Sequence, residues 1–488
     1  MFKILANNFL GKNPPWYKLA ILSFLIANPL VFHLVSPFAA GWLLLVEFLF
    51  TLALALKCYP IPSGGLLALE AVIVGFTSPE SIYKEVANNL PTLLLLIFMV
   101  SGVYYLKDLL FLIFTRAFVS IRRKSVLSFT IALISLLISA FLDALTLMAV
   151  ITAVGFNFSA IYRGLKSLDS GGGENNRLEA LEYEEFHGFL RNIVMHGAIG
   201  TILGGTLTVV GEPQNMMIGS MMDWSFGEFF VQCSVVSLPA VAVGIALCPL
   251  LEIFKFPGYG HELPEKARQM ILRDYREMMR LVSKQTVFLC CAQGMVFVLL
   301  ILALAFHVAE IGLIGIAVIV VLTALTGTTK EHDFASAFGS AMPFVTLLAI
   351  FFAILAVVHD QHLVTPLASW VFGFEGRTQL VMLYVVNGAL SFVSDNVFIA
   401  SVFINEIRQA FEAGAFSRQW YEKLAVVVNM GTNVVAMATP NGHAALLFLL
   451  TSSLAPVIEL SYTRMVKLAL PYTVVISITG GLAVYFLL

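Results

Sequence analysis

The 488-residue chain is expected to fold as an all-α polytopic membrane protein, and three observations lead there. Hydrophobic residues make up 59% of the chain and charged residues 12%, against about 45–50% and about 25% in soluble domains. Many apolar stretches approach or exceed the roughly 20 residues that cross a bilayer core. The charges are gathered between those stretches rather than spread along them.

Taken in order, the first span is expected at 19–35, ending before Pro37, and the second at 39–56, emerging at Lys57. A shorter apolar run at 61–76 holds Gly64, Gly65 and Glu70 and counts as a third span. A polar turn at 78–89 leads into a fourth, 90–106. From Lys107 to Lys124 apolar residues alternate with basic ones, among them Arg116, Arg122 and Arg123, as suits a helix lying along the membrane surface.

The run 125–162 follows, and Asp143 is its one full charge. Two readings stand at this point. The run is either two full spans joined at Asp143, or a re-entrant hairpin whose arms stop short of crossing. Non-helical backbone at membrane depth is tolerated where protein or water covers it. Basic residues flank the run on both sides, so both its ends lie in the cytoplasm under either reading.

Residues 164–191, with Gly171-Gly172-Gly173 and many acids, read as a solvated loop. A fifth span, 192–222, is interrupted at Gly211-Glu212-Pro213, where helix chemistry all but forces a break. The sixth is 226–251. The stretch 252–284 carries seven Lys or Arg residues and is expected to be a cytoplasmic linker between halves.

The second half repeats the plan. Spans are expected at 286–306, 311–326 and 341–358, then a surface stretch at 360–377. The run 378–405 is uncharged apart from Asp395. A broken span near 424–454 is interrupted at Thr439-Pro440-Asn441-Gly442, and the last span is 468–488. Domain boundaries follow: 1–60 for the N-terminal tail and first two spans, 61–252 for a first repeat, 253–284 for the linker and 285–488 for a second. The first repeat holds the run 125–162 and broken helix 192–222. The second holds its counterpart at 378–411 and broken helix 421–454.

An ionisable group inside a membrane segment marks a functional site by default. Two carboxylates, each followed by a broken helix, point to a transporter repeat. At such breaks, freed carbonyls and helix ends can coordinate a desolvated cation. A carboxylate adds hard oxygen ligands, or takes a proton because burial favours its neutral form. A group that accepts a proton or a cation, but not both, is sufficient for exchange. Asp143 and Asp395 are therefore the expected coupling residues. A structural ion pair or helix cap is the competing role for each.

Glu212 either lines the site or sits at an aqueous helix end. Asn215, Asn396 and Asn441 offer neutral amide oxygens or cap the broken helices. Thr146, Ser394 and Thr439, with Thr206, Thr208, Asn429, Thr432 and Asn433, line a path or bond within their own helices. His196 and His443 read as satisfied polar contacts. Glu47, Glu70, Glu310 and Asp360 fall near expected span ends, where interfacial water solvates them. The five cysteines show no metal spacing and read as small packing residues.

Several motifs carry a resemblance. Gly-Glu-Pro-Gln-Asn at 211–215, Ser-Asp-Asn-Val-Phe at 394–398, Ala-Thr-Pro-Asn-Gly at 438–442 and Phe-Leu-Asp-Ala-Leu-Thr at 141–146 resemble NhaB-type bacterial sodium/proton antiporters. So do Asn-Pro-Pro-Trp-Tyr-Lys-Leu-Ala at 13–20 and Leu-Lys-Cys-Tyr-Pro at 56–60. The similarity runs from the first span to the last. These antiporters are placed in the ion transporter superfamily, with dicarboxylate/sodium symporters and arsenite pumps.

The resemblance implies an inverted repeat, two re-entrant hairpins, and a transport domain moving against a homodimeric scaffold. It favours the hairpin reading of 125–162. It also carries Na⁺ ligands to Asp143, Asn215, Asp395 and Asn441. Asp stands here where the symporters' hairpin tips have a neutral amide, which argues for cations and against carboxylate substrates. With hairpins counted as such, the chain is expected to have about eleven spans plus two hairpins entering from opposite faces. The N-terminus is then cytoplasmic and the C-terminus periplasmic.

The function so implied is secondary exchange of Na⁺, and Li⁺, for H⁺ across the bacterial inner membrane, with no cofactor. Competing readings are an anion or arsenite carrier and a cation channel. An intramembrane aspartyl protease lacks its Tyr-Asp and Gly-x-Gly-Asp contexts, a zinc protease its His-Glu-x-x-His, and an ATP-driven pump any Walker signature. The net charge of −2 gives no reason to expect a nucleic-acid partner.

Overall fold

A computed structural model describes residues 8–55, 57–169, 176–328, 330–392 and 396–488. Every regular element among the described residues is helical. Three helices open the chain, Pro15–Leu34, Pro37–Ala53 and Pro60–Val74, each with proline in its first turn, where the missing N–H costs nothing. The expected turn at 78–89 is instead a helix, Pro79–Asn88, capped by the Ser78 side chain. It meets the helical stretch Leu90–Tyr104 at 64°.

Each half then shows the same order of parts. In the first, helix Lys124–Ser139 turns at 140–143 into helix Ala144–Asp169. Helix Asn176–Gly205 follows, breaks, and resumes as Pro213–Met222, before the long helix Phe226–Ile253. In the second, Gly376–Ser391 is succeeded by Asn396–Glu412, then by Arg418–Val434. After a break come Ala444–Thr451 and the long helix Tyr462–Leu487. Between these two stretches lie the amphipathic helix Glu265–Arg280 and three apolar helices, Lys284–Ala305, Ile311–Thr326 and Glu331–Asp360.

Apolar side chains on the outside fit a lipid environment. Ile73 is 83% exposed and Leu34 78%, and soluble monomers rarely expose large contiguous apolar patches. Among the described residues, six helices are long and apolar enough to cross a membrane. At about 1.5 Å per residue, the 16 residues of Lys124–Ser139 reach about 24 Å, short of a roughly 30 Å hydrocarbon core. The opposite arm is longer than expected, 26 residues ending at Asp169.

Two expectations change. The stretch 164–191 is largely helical on both sides of 170–175. It is held by packing: Phe186 and His187 are fully buried, and Arg191 donates to the carbonyl of Ile458 at 2.8 Å. Acidic composition masked this, because the partners that hold the segment lie far away in the chain. Glu47 and Glu70 are also not solvated at span ends. Both are buried, and both accept from the side chain of Asn28.

Helix Asn176–Gly205 lies backbone to backbone against helix Lys124–Ser139. A Cβ on Gly200 would stand 2.2 Å from the carbonyl oxygen of Ala132, and one on Gly204 2.2 Å from that of Leu136. Small residues four apart permit such approach between membrane helices. Gly204→Val should therefore force the helices apart, at about 1–3 kcal/mol for overpacking. Thermal unfolding of the detergent-solubilised protein should show a lower midpoint; an unchanged midpoint would contradict this contact.

The N-terminal end of helix Lys124–Ser139 is fixed electrostatically. Lys124 and His196 meet the two carboxylate oxygens of buried Glu252 at 2.7 and 2.8 Å, and Gly260 N–H donates to the same group. His196 also contacts the Tyr472 hydroxyl at 2.7 Å, so it is a satisfied polar contact, as expected.

Candidate ion-translocation site

The turn between helices Lys124–Ser139 and Ala144–Asp169 presents Asp143, 3% exposed. The residue stands just before helix Ala144–Asp169. Its carboxylate accepts from the Thr146 N–H at 3.1 Å and the Thr146 hydroxyl at 3.4 Å. A helix N-terminus favours negative charge there. The cap role weighed from sequence is thus present, and Thr146 is its donor.

Beside this turn the helix ending at Gly205 gives way to extended backbone at Glu212, φ −143° and ψ 146°. The carbonyls freed at the break do not go unmet. The Asn215 amide donates to the carbonyls of Gly205 and Thr208, each at 2.7 Å. Gly211 is required here, since a Cβ on it would lie 2.5 Å from the Cα of Gly205. The Thr208 hydroxyl donates to the carbonyl of Ala140. The break is thereby fastened to the turn three residues before Asp143.

The second half matches this contact. Thr439, extended at φ −133° and ψ 151°, caps the turn Pro440–Gly442. Its hydroxyl donates to the carbonyl of Phe392 at 2.7 Å, three residues before Asp395. Ser394 and Asp395 lie outside the described residues. Asn396 opens the following helix at 1% exposure, and among the described residues neither atom of its amide has a hydrogen-bond partner. Asn441 is half-buried, and its Oδ1 is likewise unpartnered. It lines a cavity of about 520 Å³ between Pro60, Phe351, Leu145 and Leu447.

The two breaks meet across the repeats. Asn433 donates to Asn215 Oδ1 at 3.0 Å and to Asn429 Oδ1 at 2.8 Å, and accepts from Gln214 at 2.9 Å. Asn429 donates to the carbonyl of Thr206 at 3.2 Å. Glu212 Oε1 faces His443 Nε2 at 3.6 Å, with both residues buried. Glu212 therefore lies in the protein interior rather than at an aqueous helix end.

Asp143 makes no hydrogen bond to Glu212, Asn215 or Asn441 among the described residues. Sequence reasoning gave Asn429, Asn433 and His443 little weight and passed over Gln214 as a site residue. The signal was there: Asn429 and Asn433 are four apart, hence on one helix face, in a segment otherwise apolar.

A helical membrane bundle with two interrupted helices, a buried carboxylate and converging amides belongs to the secondary transporters, whose ion sites are built at such breaks. Comparison with known proteins narrows the class. The family model for bacterial Na⁺/H⁺ antiporter B (NhaB) matches residues 1–488. Na(+)/H(+) antiporter NhaB of Serratia proteamaculans (strain 568) is 50% identical, over 99% of this chain and 94% of that protein. The protein of the same name from Yersinia enterocolitica is 50% identical over 99% and 93%. That from Klebsiella pneumoniae (strain 342) is 50% identical over 100% and 95%. The chain belongs to the bacterial Na⁺/H⁺ antiporter B family, a family of transporters and not of enzymes.

Proposed function

We propose that the chain exchanges Na⁺, and Li⁺, for H⁺ across the bacterial inner membrane. Ions would be held at the two hairpin tips and the helix breaks beside them. The observation that carries this reading is the matched fastening of break to tip, Thr208 to Ala140 and Thr439 to Phe392. It supports reading each half as one unit, in which a helix break is tied to the turn that precedes the Asp of that half, Asp143 or Asp395, in sequence.

In this mechanism Asp143 holds a proton or Na⁺ but not both, so loading one releases the other. Asp395 does the same in the second unit. Asn441 and Asn396 have amide oxygens available to a cation. Asn215 supplies the second lone pair of Oδ1, the first being taken by Asn433. Thr146 and Thr439 orient the turns, and Ser394 is a further ligand expected from the sequence. The amide bridge joins both units into one body. That body moves as an elevator against a homodimeric scaffold, with the cavity at Asn441 as part of the seam. The N-terminus is cytoplasmic and the C-terminus periplasmic.

Everted vesicles carrying the protein, with a preformed proton gradient and a pH-sensitive dye, test the exchange. Addition of Na⁺ or Li⁺ should collapse the gradient, while K⁺ or choline should not. Na⁺ flux with no linked proton movement would replace this reading by a channel.

A further inference from the structure

A second acidic centre lies away from the hairpins, in the first three helices. Asn28, Glu47 and Glu70 come one from each of Pro15–Leu34, Pro37–Ala53 and Pro60–Val74, and are 0%, 3% and 7% exposed. The single nitrogen of the Asn28 amide donates to Glu47 Oε2 at 2.7 Å and to Glu70 Oε2 at 2.8 Å. The remaining oxygen of each group, Asn28 Oδ1, Glu47 Oε1 and Glu70 Oε1, is buried without a hydrogen-bond partner among the described residues. Both carboxyl groups thus stand within hydrogen-bond distance of one nitrogen, which gathers the three residues at one point between the helices. Among the described residues no Lys, Arg or His pairs with either carboxylate.

Two ionised carboxylates around a neutral amide, away from water and any cation, are not sustainable. Buried polar oxygens also need partners. We propose that Asn28, Glu47 and Glu70 form a binding site for one small monovalent cation, Na⁺ or Li⁺, separate from the hairpin site. The donors are all hard oxygens, with neither the nitrogen nor the sulfur that transition metals prefer. One ionised and one protonated carboxyl group balance a single positive charge. Ca²⁺ demands six to eight ligands and Mg²⁺ a well-hydrated octahedron, which three side-chain oxygens in a dry helix triad do not supply.

A bound ion here would tie three helices together. Its effect would pass to the rest of the fold through Thr77, which donates to Asp360 at 2.7 Å, and Gln361, which donates to the carbonyl of Phe76 at 2.7 Å. The site does not depend on the hairpin reading.

Thermal unfolding of the purified full-length protein in NaCl, LiCl, KCl or choline chloride at equal ionic strength tests it. Na⁺ and Li⁺ should raise the midpoint by at least about 3 °C over choline. The rise should persist in a chain carrying both Asp143→Asn and Asp395→Asn, and vanish in Glu47→Gln or Glu70→Gln. Equal response to K⁺, no response in the Asp143/Asp395 double variant, or an undiminished response in the Glu variants would overturn the proposal. Should the Glu variants not fold, carbodiimide labelling of the native chain decides. Na⁺ or Li⁺ should protect Glu47 and Glu70 in peptide mass spectra, and labelling indifferent to both ions overturns the site. Loss of proton exchange in vesicles with this response intact would set the hairpin reading apart from this one.

Discussion

Asp143→Asn should cut Na⁺-driven collapse of a proton gradient at least about 100-fold, a loss of about 2.7 kcal/mol of stabilisation. The substitution keeps the shape of the side chain and an oxygen able to accept from Thr146 N–H. Helix Ala144–Asp169 should therefore keep its start, and the purified variant should elute and unfold nearly as the parent does. What disappears is the negative charge and the ability to take up a proton. A purely capping role would leave exchange intact in this variant, because Asn caps about as well as Asp. The comparison of activity with folding in one variant thus separates the two roles. Asp395→Asn is expected to match it, on the likeness of the two stretches in sequence.

The second large effect is expected at Asn433. Asn433→Ala removes donations to Asn215, to the Asn429 side chain and to the Asn429 carbonyl, and acceptance from Gln214. At about 0.6 kcal/mol per hydrogen bond in a membrane protein, the loss is about 2 kcal/mol. The amides left behind in both breaks are then free to rotate. Apparent Na⁺ affinity should fall about tenfold, a shift of about 1.4 kcal/mol, with a lower unfolding midpoint. Asn433→Asp keeps the acceptor for Gln214 and should recover part of the stability. Unaltered affinity in Asn433→Ala would mean that the two breaks work independently.

The parts legible in the sequence were those where one residue contradicts its surroundings. Asp143 stands alone in a long apolar run, and Gly211-Glu212-Pro213 cannot continue a helix, so the turn and the break declare themselves. The helix Ile311–Thr326 runs over the residues its apolar stretch spans. What stayed hidden depends on partners far away in the chain. Nothing near Glu47 or Glu70 announces Asn28, and local composition made both look solvated. Nothing near Asn215 announces Asn433. The buried helix through His187 and Arg191 looked like a loop because the acids before it outweighed the apolar residues in local composition. Asp395 remains legible from sequence alone, since 393–395 lie outside the described residues.

The bridge between Asn215 and Asn433 spans 218 positions along the chain, and this has a consequence for biogenesis. At about 5–20 residues per second of synthesis, Asn433 is made tens of seconds after Asn215. Throughout that interval the first broken helix sits in or beside the membrane with Gln214 and Asn215 lacking their mates. The nascent first half must therefore be shielded, by insertion machinery or by water held at the break, until the second half arrives. Assembly is complete only when that late amide docks, so a chain truncated before it should be recognised and degraded as unfinished.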